Sequence, residues 1–459
     1  MSAHGLRQAQ EKMAAAGVHT TAIDVFGHYY AQLVDGATGV IPEDSIDPLT
    51  DPPMLEDVEV SNDAAREALA HTVLINLNGG LGTSMGMDRA KSLLPVRDGL
   101  SFLDLLARQV LTARARYDVR LPLLLMDSFN TQADSLAALA RYPGLPVEGL
   151  PLDFLQTQEP KIRTDDLTPV SWPDNPQLEW CPPGHGDLYV SLQATGVLDA
   201  LLDRGFRYAS VSNSDNLGAG PHPRLAGWFA ASGAPYAAEV CRRTPMDRKG
   251  GHLAVRKADA QLILRDTAQC AREEMHYFTD EHRHPFFHTN NLWFDLRRLQ
   301  ETLQARNSVL GLPLIRNVKT VDPRDPDSPE VFQIETAMGA AIEVFDGAQA
   351  ICVPRSRFLP VKTTNELLLV RSDVYQVGDD AGLHAVVDPT PVISLDEAIY
   401  KKIDAFEARF PAGAPSLREA RALTVHGDWT FEADVTVVGA VTLEESGTPQ
   451  TVSAGTRLT

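Results

Sequence analysis

Four glycines crowd the stretch VLINLNGGLGTSMGMDRAKSLLPV, residues 73–96: Gly79, Gly80, Gly82 and Gly86, with Lys91 and Ser92 close behind. They follow the apolar, β-prone run Val73, Leu74, Ile75 and Leu77. Glycines placed just after a strand let backbone N–H groups approach a phosphate or a base with no Cβ in the way. Lys91 then brings a point charge within reach of that phosphate. Two familiar nucleotide loops do not fit. A Walker A loop needs glycine immediately before its lysine, where this chain has Ala90. A dinucleotide fingerprint needs two residues between its last two glycines, and here three separate Gly82 from Gly86.

Other stretches have the composition of ligand loops. PPGHGD, residues 182–187, is a second place where glycine permits close backbone approach. VSNSDN, residues 211–216, ends a strand-like run, and open α/β sheets bind ligands at strand ends. Lys362 lies between two apolar runs in FLPVKTTNELLLV, an odd place for a charge that only solubilises.

These loops need elements to hold them. TVLINLN (72–78), LPLLLMDS (121–128) and FRYASVSN (206–213) read as strands. Between them Ser101 caps the helical pattern FLDLLARQVLTARARY, and LYVSLQATGVLDALLDRG follows the second loop as another helix. Such alternation predicts a mostly parallel sheet with helices on both faces. Residues 1–40 have helical composition, and the Pro/Asp-rich 41–53 reads as an extended connector. In the tail, apolar pairs recur every six residues: Leu423/Val425, Trp429/Phe431, Val435/Val437 and Val441/Leu443. That period suggests the coils of a parallel β-helix, with a β-meander as the alternative.

At 459 residues the chain can bury a large core and form more than one domain. Its net charge of −20 argues against a nucleic-acid partner, which needs basic surface, but not against a small phosphorylated ligand. The four cysteines form no CxxC pair, so a disulfide framework or zinc site is not expected. No apolar run has the length of a signal h-region or a membrane span. The expectation is a soluble cytoplasmic protein with no membrane partner.

The glycine loop closely resembles the signature of the UTP–glucose-1-phosphate uridylyltransferases, the eukaryotic-type UDP-glucose pyrophosphorylases. PLLLMDSFNT, PPGHGDLYVSL, VSNSDNLGA, KGG (249–251), TNNLW, ETAMGAAIEVF and VPRSRFLPVKTTNELLLV resemble further blocks of that family, in family order, over about residues 70–370. Met87–Ala90 departs from the pattern of the animal members and is closer to protozoan ones.

The resemblance implies an α/β fold: a Rossmann-like nucleotidyltransferase domain with a mixed, mostly parallel central sheet, and a C-terminal left-handed parallel β-helix. The expected division is an N-terminal helical segment (1–55), a catalytic domain (56–375), a helical linker (376–422) and the β-helix (423–459). It also implies uridylyl transfer from UTP to α-D-glucose 1-phosphate. Under it Leu77, Asn78, Gly79 and Gly80 hold the uridine end, Met126 lines the base pocket and Gln156 reads the uracil edge, with Gln158 as competitor. Gly184 nears the nucleotide and His185 bonds the sugar phosphate. Asn213 and Ser214 face ribose or sugar, and Asp215 holds Mg²⁺. Asn290 and Asn291 are candidate hexose partners, with the choice between them open. Lys91 and Lys362 neutralise the phosphates from two sides. The sugar phosphate is already ionised, so no general base is required.

Two alternatives stand beside this one. A UDP-N-acetylhexosamine or broad-range UDP-sugar pyrophosphorylase shares the fold but usually carries an arginine near the end of the glycine loop, which Thr83–Gly86 lacks. A catalytically silent scaffold is expected to lose Lys91, Asp215 or Lys362, and all three are present. The tail is expected to serve homo-oligomer assembly or packing.

Overall fold

Every residue of Thr72–Val73–Leu74–Ile75–Asn76 is buried, because this strand is covered on both faces. Alternate side chains enter different cores. Val73 and Ile75 join Leu188 and Leu192 on one side, while Leu74 joins Leu103, Leu106 and Val110 on the other. Each such side chain contributes about 1.5–3 kcal/mol by leaving water. The computed structural model describes residues 2–244, 247–248 and 250–459; the Lys249 of the KGG block lies outside them.

Thr72–Leu77 pairs in parallel with Leu123–Asp127 on one side and Tyr208–Asn213 on the other, and Asp153–Leu155 extends the parallel block. The chain builds outward from Thr72–Leu77 and then crosses back to lay down Tyr208–Asn213. A topological switch point therefore opens between Leu77 and Asn213 at the carboxyl ends. The ten-stranded sheet is mixed, as expected, but its remaining half is largely antiparallel, which corrects the mostly parallel part of that expectation. Phe286–Asp295 runs antiparallel to both Tyr208–Asn213 and Tyr236–Arg242, so the sheet is mixed.

Phe102–Tyr117 is a helix with a full capping box, Ser101 and Asp104 satisfying each other's backbone N–H. Such a cap contributes about 1 kcal/mol. The helix expected after the second loop is two, Leu188–Ala194 and Val197–Asp203, broken where Gly196 takes a left-handed φ of 73°. Helices Ser2–Ala15 and Thr20–Val34 pack on Ile162, Val190, Leu314 and Ile334 of the body. The connector after them is no free linker: Ile46–Pro48 pairs antiparallel with His252–Arg256 at the sheet edge.

In the tail, Val392–Leu395, Ser416–Val425, Thr436–Leu443 and Arg457–Leu458 stack in parallel. Leu423 lies opposite Val441 and Val425 opposite Leu443, three six-residue steps apart. The segment 376–422, expected as a helical linker, supplies strands to this stack beside short helices Glu397–Tyr400 and Ile403–Arg409. Its polar–apolar alternation is too short to distinguish from a helical turn. The tail core also takes in Met85 from the glycine loop and Met87, Leu94 and Val96 directly after it.

Candidate active site

The four parallel strands end side by side, and hydrogen bonds fix those ends to one another. Asn78, just past its strand, donates Nδ2–H to Asp127 Oδ1 and to Ser135 Oγ, each at 2.7 Å. Ser214 donates its hydroxyl to Leu77 O, and its backbone N–H reaches the same oxygen at 3.1 Å. Burial pushes the Asp127 carboxyl up to about 6, against the pull of its bonds from Asn78 and Thr131. The strand ends thus form a stiff floor, and the loops rise from it.

An open cleft of about 420 Å³ lies over that floor. It is lined by Leu77, Asn78, Gly79, Gly80, Lys91, Met126, Gln156, Gly184, His185, Asn213, Ser214, Asp215 and Asn290, together with Ser92 and Pro182. Thirteen positions singled out from the sequence therefore meet in one place. Ser92 and Pro182 were given no site role; their sequence signal is that Ser92 follows Lys91 and Pro182 opens the second glycine loop.

At one end, Gly79 and Gln156 are in contact. A Cβ on Gly79 would stand 2.8 Å from Gln156 Oε1 and 3.1 Å from Nε2, so only glycine leaves the carboxamide where it is. Gly80 has open space around its Cα and can receive a ligand. Ser128 Oγ donates to Gly79 O at 3.0 Å and holds the turn down.

At the other end Lys91 Nζ sits 2.6 Å from Asp215 Oδ2, both side chains about one-fifth exposed. The Lys91 backbone N–H donates to Gly80 O at 3.0 Å, which folds the glycine loop back over the strand ends. Among the described residues no group of three or more His, Cys, Asp or Glu side chains could hold a metal ion. Asp215 is a lone hard oxygen donor, and it fits Mg²⁺ only where substrate oxygens complete the shell, the usual arrangement for that ion.

His185 rises from the second loop. Its Nδ1 accepts from Met338 N at 3.0 Å, which leaves the proton on Nε2. The residue is exposed at the cleft, and the protein packed beneath it holds its pKa below the ordinary value. His185 is a neutral donor. Gly184 has φ 78°, and a Cβ there would meet Thr336 O at 2.6 Å.

Three expected site residues do not fit as expected. Asn291 is 2 % exposed and donates to Glu239 Oε2 at 3.2 Å, inside a buried network in which Arg357 grips Glu239 with two nitrogens at 2.8 and 2.9 Å. Asn290 faces the cleft instead, at a left-handed φ of 62°, with Nδ2 donating to Asn213 Oδ1 at 3.0 Å. The Ser214 hydroxyl is committed to Leu77 O, so it braces the floor more than it offers a donor. Lys362 is exposed and does not line the cleft; Asp266 feels its charge. Its neighbour Val361 donates its N–H to Asp215 O at 3.2 Å, which keeps Lys362 at the rim.

A switch-point cleft with glycine-rich loops over its floor and a lysine–carboxylate pair among them suits an α/β enzyme of phosphate-bearing nucleotides. A protein-family model described as UTP–glucose-1-phosphate uridylyltransferase matches residues 23–438, and the chain belongs to this family. It is 40 % identical over 377 residues to the Saccharomyces cerevisiae UTP–glucose-1-phosphate uridylyltransferase, covering 81 % of this chain and 74 % of that protein. The Solanum tuberosum enzyme of the same name is 38 % identical over 411 residues, 88 % of this chain and 81 % of that one. Among solved structures, a mutant UDP-glucose pyrophosphorylase from Leishmania major in complex with UDP-glucose superposes with a TM-score of 0.92 at 42 % identity, covering 99 % of this chain and 98 % of that one. A Trypanosoma brucei structure titled UDP-glucose phosphorylase gives 0.90 at 41 % identity, with coverage of 99 % and 98 %.

Proposed function

We propose that this protein transfers the uridylyl group of UTP to α-D-glucose 1-phosphate, giving UDP-glucose and pyrophosphate. A sugar-phosphate oxygen attacks the α-phosphorus, the new P–O bond forms, and the bond to the β-phosphate oxygen breaks with its electron pair leaving on pyrophosphate. Both reactants are anions, so catalysis rests on alignment and on answering charge. The observation that carries this reading is the single cleft with Gly79 against Gln156 at one end and Lys91 against Asp215 at the other.

In this reading the Gln156 carboxamide and the backbone near Gly79 and Gly80 take the uracil, with Met126 beneath. Lys91 moves its charge from Asp215 to the triphosphate. Asp215 would hold Mg²⁺, which when bound supplies further positive charge to the phosphates. His185 donates Nε2–H to the sugar phosphate, Asn290 and Asn213 present amides to the hexose or ribose, and Lys362 closes over the phosphates from the rim. The Leishmania major UDP-glucose pyrophosphorylase has been solved in open and closed structures, which supports such a movement here.

The catalytic unit is taken as 56–375, and the tail as a left-handed parallel β-helix. The parallel register and its six-residue steps support this, and the tail's strand edges offer a surface for homo-oligomers. No helix among the described residues is long and apolar enough to cross a membrane. All four cysteines are free and buried, which accords with work in the reducing cytoplasm.

Pyrophosphate release with UTP tests the reading, run against glucose, galactose and N-acetylglucosamine 1-phosphates with and without Mg²⁺. Metal-dependent turnover with glucose 1-phosphate well above the others is expected. Preference for N-acetylglucosamine 1-phosphate would move the protein to the hexosamine enzymes, and UTP binding without release would make it a scaffold.

A further inference from the structure

Asp187 closes the second glycine loop, yet its carboxylate faces away from the cleft and is 5 % exposed. It accepts three hydrogen bonds: from Thr157 N at 2.6 Å, Thr157 Oγ1 at 2.7 Å and Ser191 Oγ at 2.7 Å. No lysine, arginine or histidine pairs with it among the described residues. A buried carboxylate without a counter-charge is costly to keep, even when well bonded. Packing alone does not explain it; an apolar side chain would fill the same space.

Its partners account for it. Thr157 is the residue after Gln156, whose own N–H is held by Asp127 O at 2.8 Å. Gln156 is thus pinned on one side by the sheet and on the other by Asp187. Two residues before Asp187 stands His185. The loop between them is locked elsewhere, since Gly186 N donates to Thr336 O at 2.8 Å and a Cβ on Gly186 would lie 2.3 Å from Thr336 Oγ1. One carboxylate therefore ties the segment carrying the uracil contact to the loop carrying the sugar-phosphate contact.

We propose that Asp187 is a positioning residue that sets the spacing between Gln156 and His185, so that base selectivity and sugar-phosphate binding depend on the same group. This rests on the uracil role given to Gln156 above. Glu159 lies close by with its Oε1 unpartnered, and burial together with the Asp187 charge pushes its pKa well up. Burial pushes Asp187 up as well, against the pull of its bonds from Thr157 and Ser191.

The test measures kcat and KM for UTP, CTP and glucose 1-phosphate in Asp187→Asn, Thr157→Val, Thr157→Ser and Gln156→Ala, with folding checked by circular dichroism. An asparagine Oδ1 can still accept from Thr157 N and Ser191 Oγ, but its amide nitrogen then faces Thr157 Oγ1, whose hydroxyl must turn round to accept, and the charge that strengthens all three bonds is gone. Asp187→Asn should lower the UTP-over-CTP preference about tenfold and raise the glucose 1-phosphate KM, with saturated kcat changed far less. Thr157→Val should move both in the same direction, and Thr157→Ser should restore them. If Asp187→Asn does not fold, Thr157→Val against Thr157→Ser decides. Selectivity lost in Gln156→Ala but kept in Asp187→Asn and Thr157→Val overturns the clamp alone. Selectivity unchanged in Gln156→Ala removes the uracil reading and the clamp with it. A uniform fall in kcat with both KM values and selectivity intact would reduce Asp187 to a purely structural residue.

Discussion

Lys91 and Asp215 hold each other at 2.6 Å across the cleft, 124 positions apart in the chain. The cation expected on the nucleotide phosphates and the carboxylate expected on the metal are each other's partner before substrate arrives. In the proposed reading, binding of a triphosphate exchanges this pair for two new ones.

Asp215→Ala should therefore separate binding from turnover. Without Asp215, Lys91 is free to meet phosphate, so UTP should bind in the absence of metal no more weakly than to the unaltered protein. Single-turnover transfer should fall by roughly two to three decades in both Asp215→Ala and Lys91→Ala, the usual cost of losing a transition-state charge contact. Calorimetry without Mg²⁺ and rapid-quench rates measure the two effects. Metal-free UTP binding tenfold weaker in Asp215→Ala would sink the exchange.

Lys362 is exposed at the rim and anchored next to Asp215 by the Val361 N–H. In the proposed reading its charge reaches the phosphates only when the cleft closes. Lys362→Ala is expected to leave UTP affinity within about threefold and to cut single-turnover rate by about two decades. A parallel loss in both quantities would mean that Lys362 acts on ground-state binding.

Gly79→Ala places a methyl group 2.8 Å from Gln156 Oε1, and the flexible carboxamide must move away. The fold should survive with little change in melting temperature, because the neighbour that moves is a side chain. UTP-over-CTP preference should fall at least tenfold. Retained selectivity would show that the base edge is read elsewhere.

Acid sensitivity should come partly from His222. Burial, reinforced by the positive charge of Arg357, lowers its pKa from 6.5 to about 4. A group depressed on folding contributes stability above its unfolded pKa and loses it as pH falls toward the folded value. His222 also caps the Pro223–Ser232 helix by accepting from Leu225 N at 3.2 Å, a task asparagine can perform. His222→Asn should keep the cap and show a shallower drop in melting temperature between pH 7 and pH 5. Asp127 works with the opposite sign, its raised pKa favouring the fold at low pH, and it is common to both proteins. Identical slopes would rule out the assignment.

Motif chemistry was readable because it depends on residue type: glycine where backbone must come close, lysine where charge is needed, asparagine and aspartate at strand ends. Eight positions of these types met in the cleft, and five more, Leu77, Met126, Gln156, His185 and Ser214, were reached only through the family resemblance. What the sequence hid was set by long-range geometry. Simple strand alternation cannot choose between Asn290 and Asn291, because the ladder shifts register opposite Ala238–Val240 and Asn290 adopts a left-handed backbone. The break at Gly196 was concealed by apolar spacing that continues through it. Asp187 reads locally as an ordinary turn residue, and only its bonds to Thr157, thirty positions away, reveal more.

Met85, inside the glycine loop, and Met87, just past Gly86, are buried in the same apolar cluster as Val441 and Val452, more than 350 positions later. The underside of the first ligand loop is therefore closed by the parallel stack rather than by the sheet that carries the other site loops. Loosening that stack exposes two methionines beneath the loop, so disorder there is felt at the cleft without any change in the strands that form its floor.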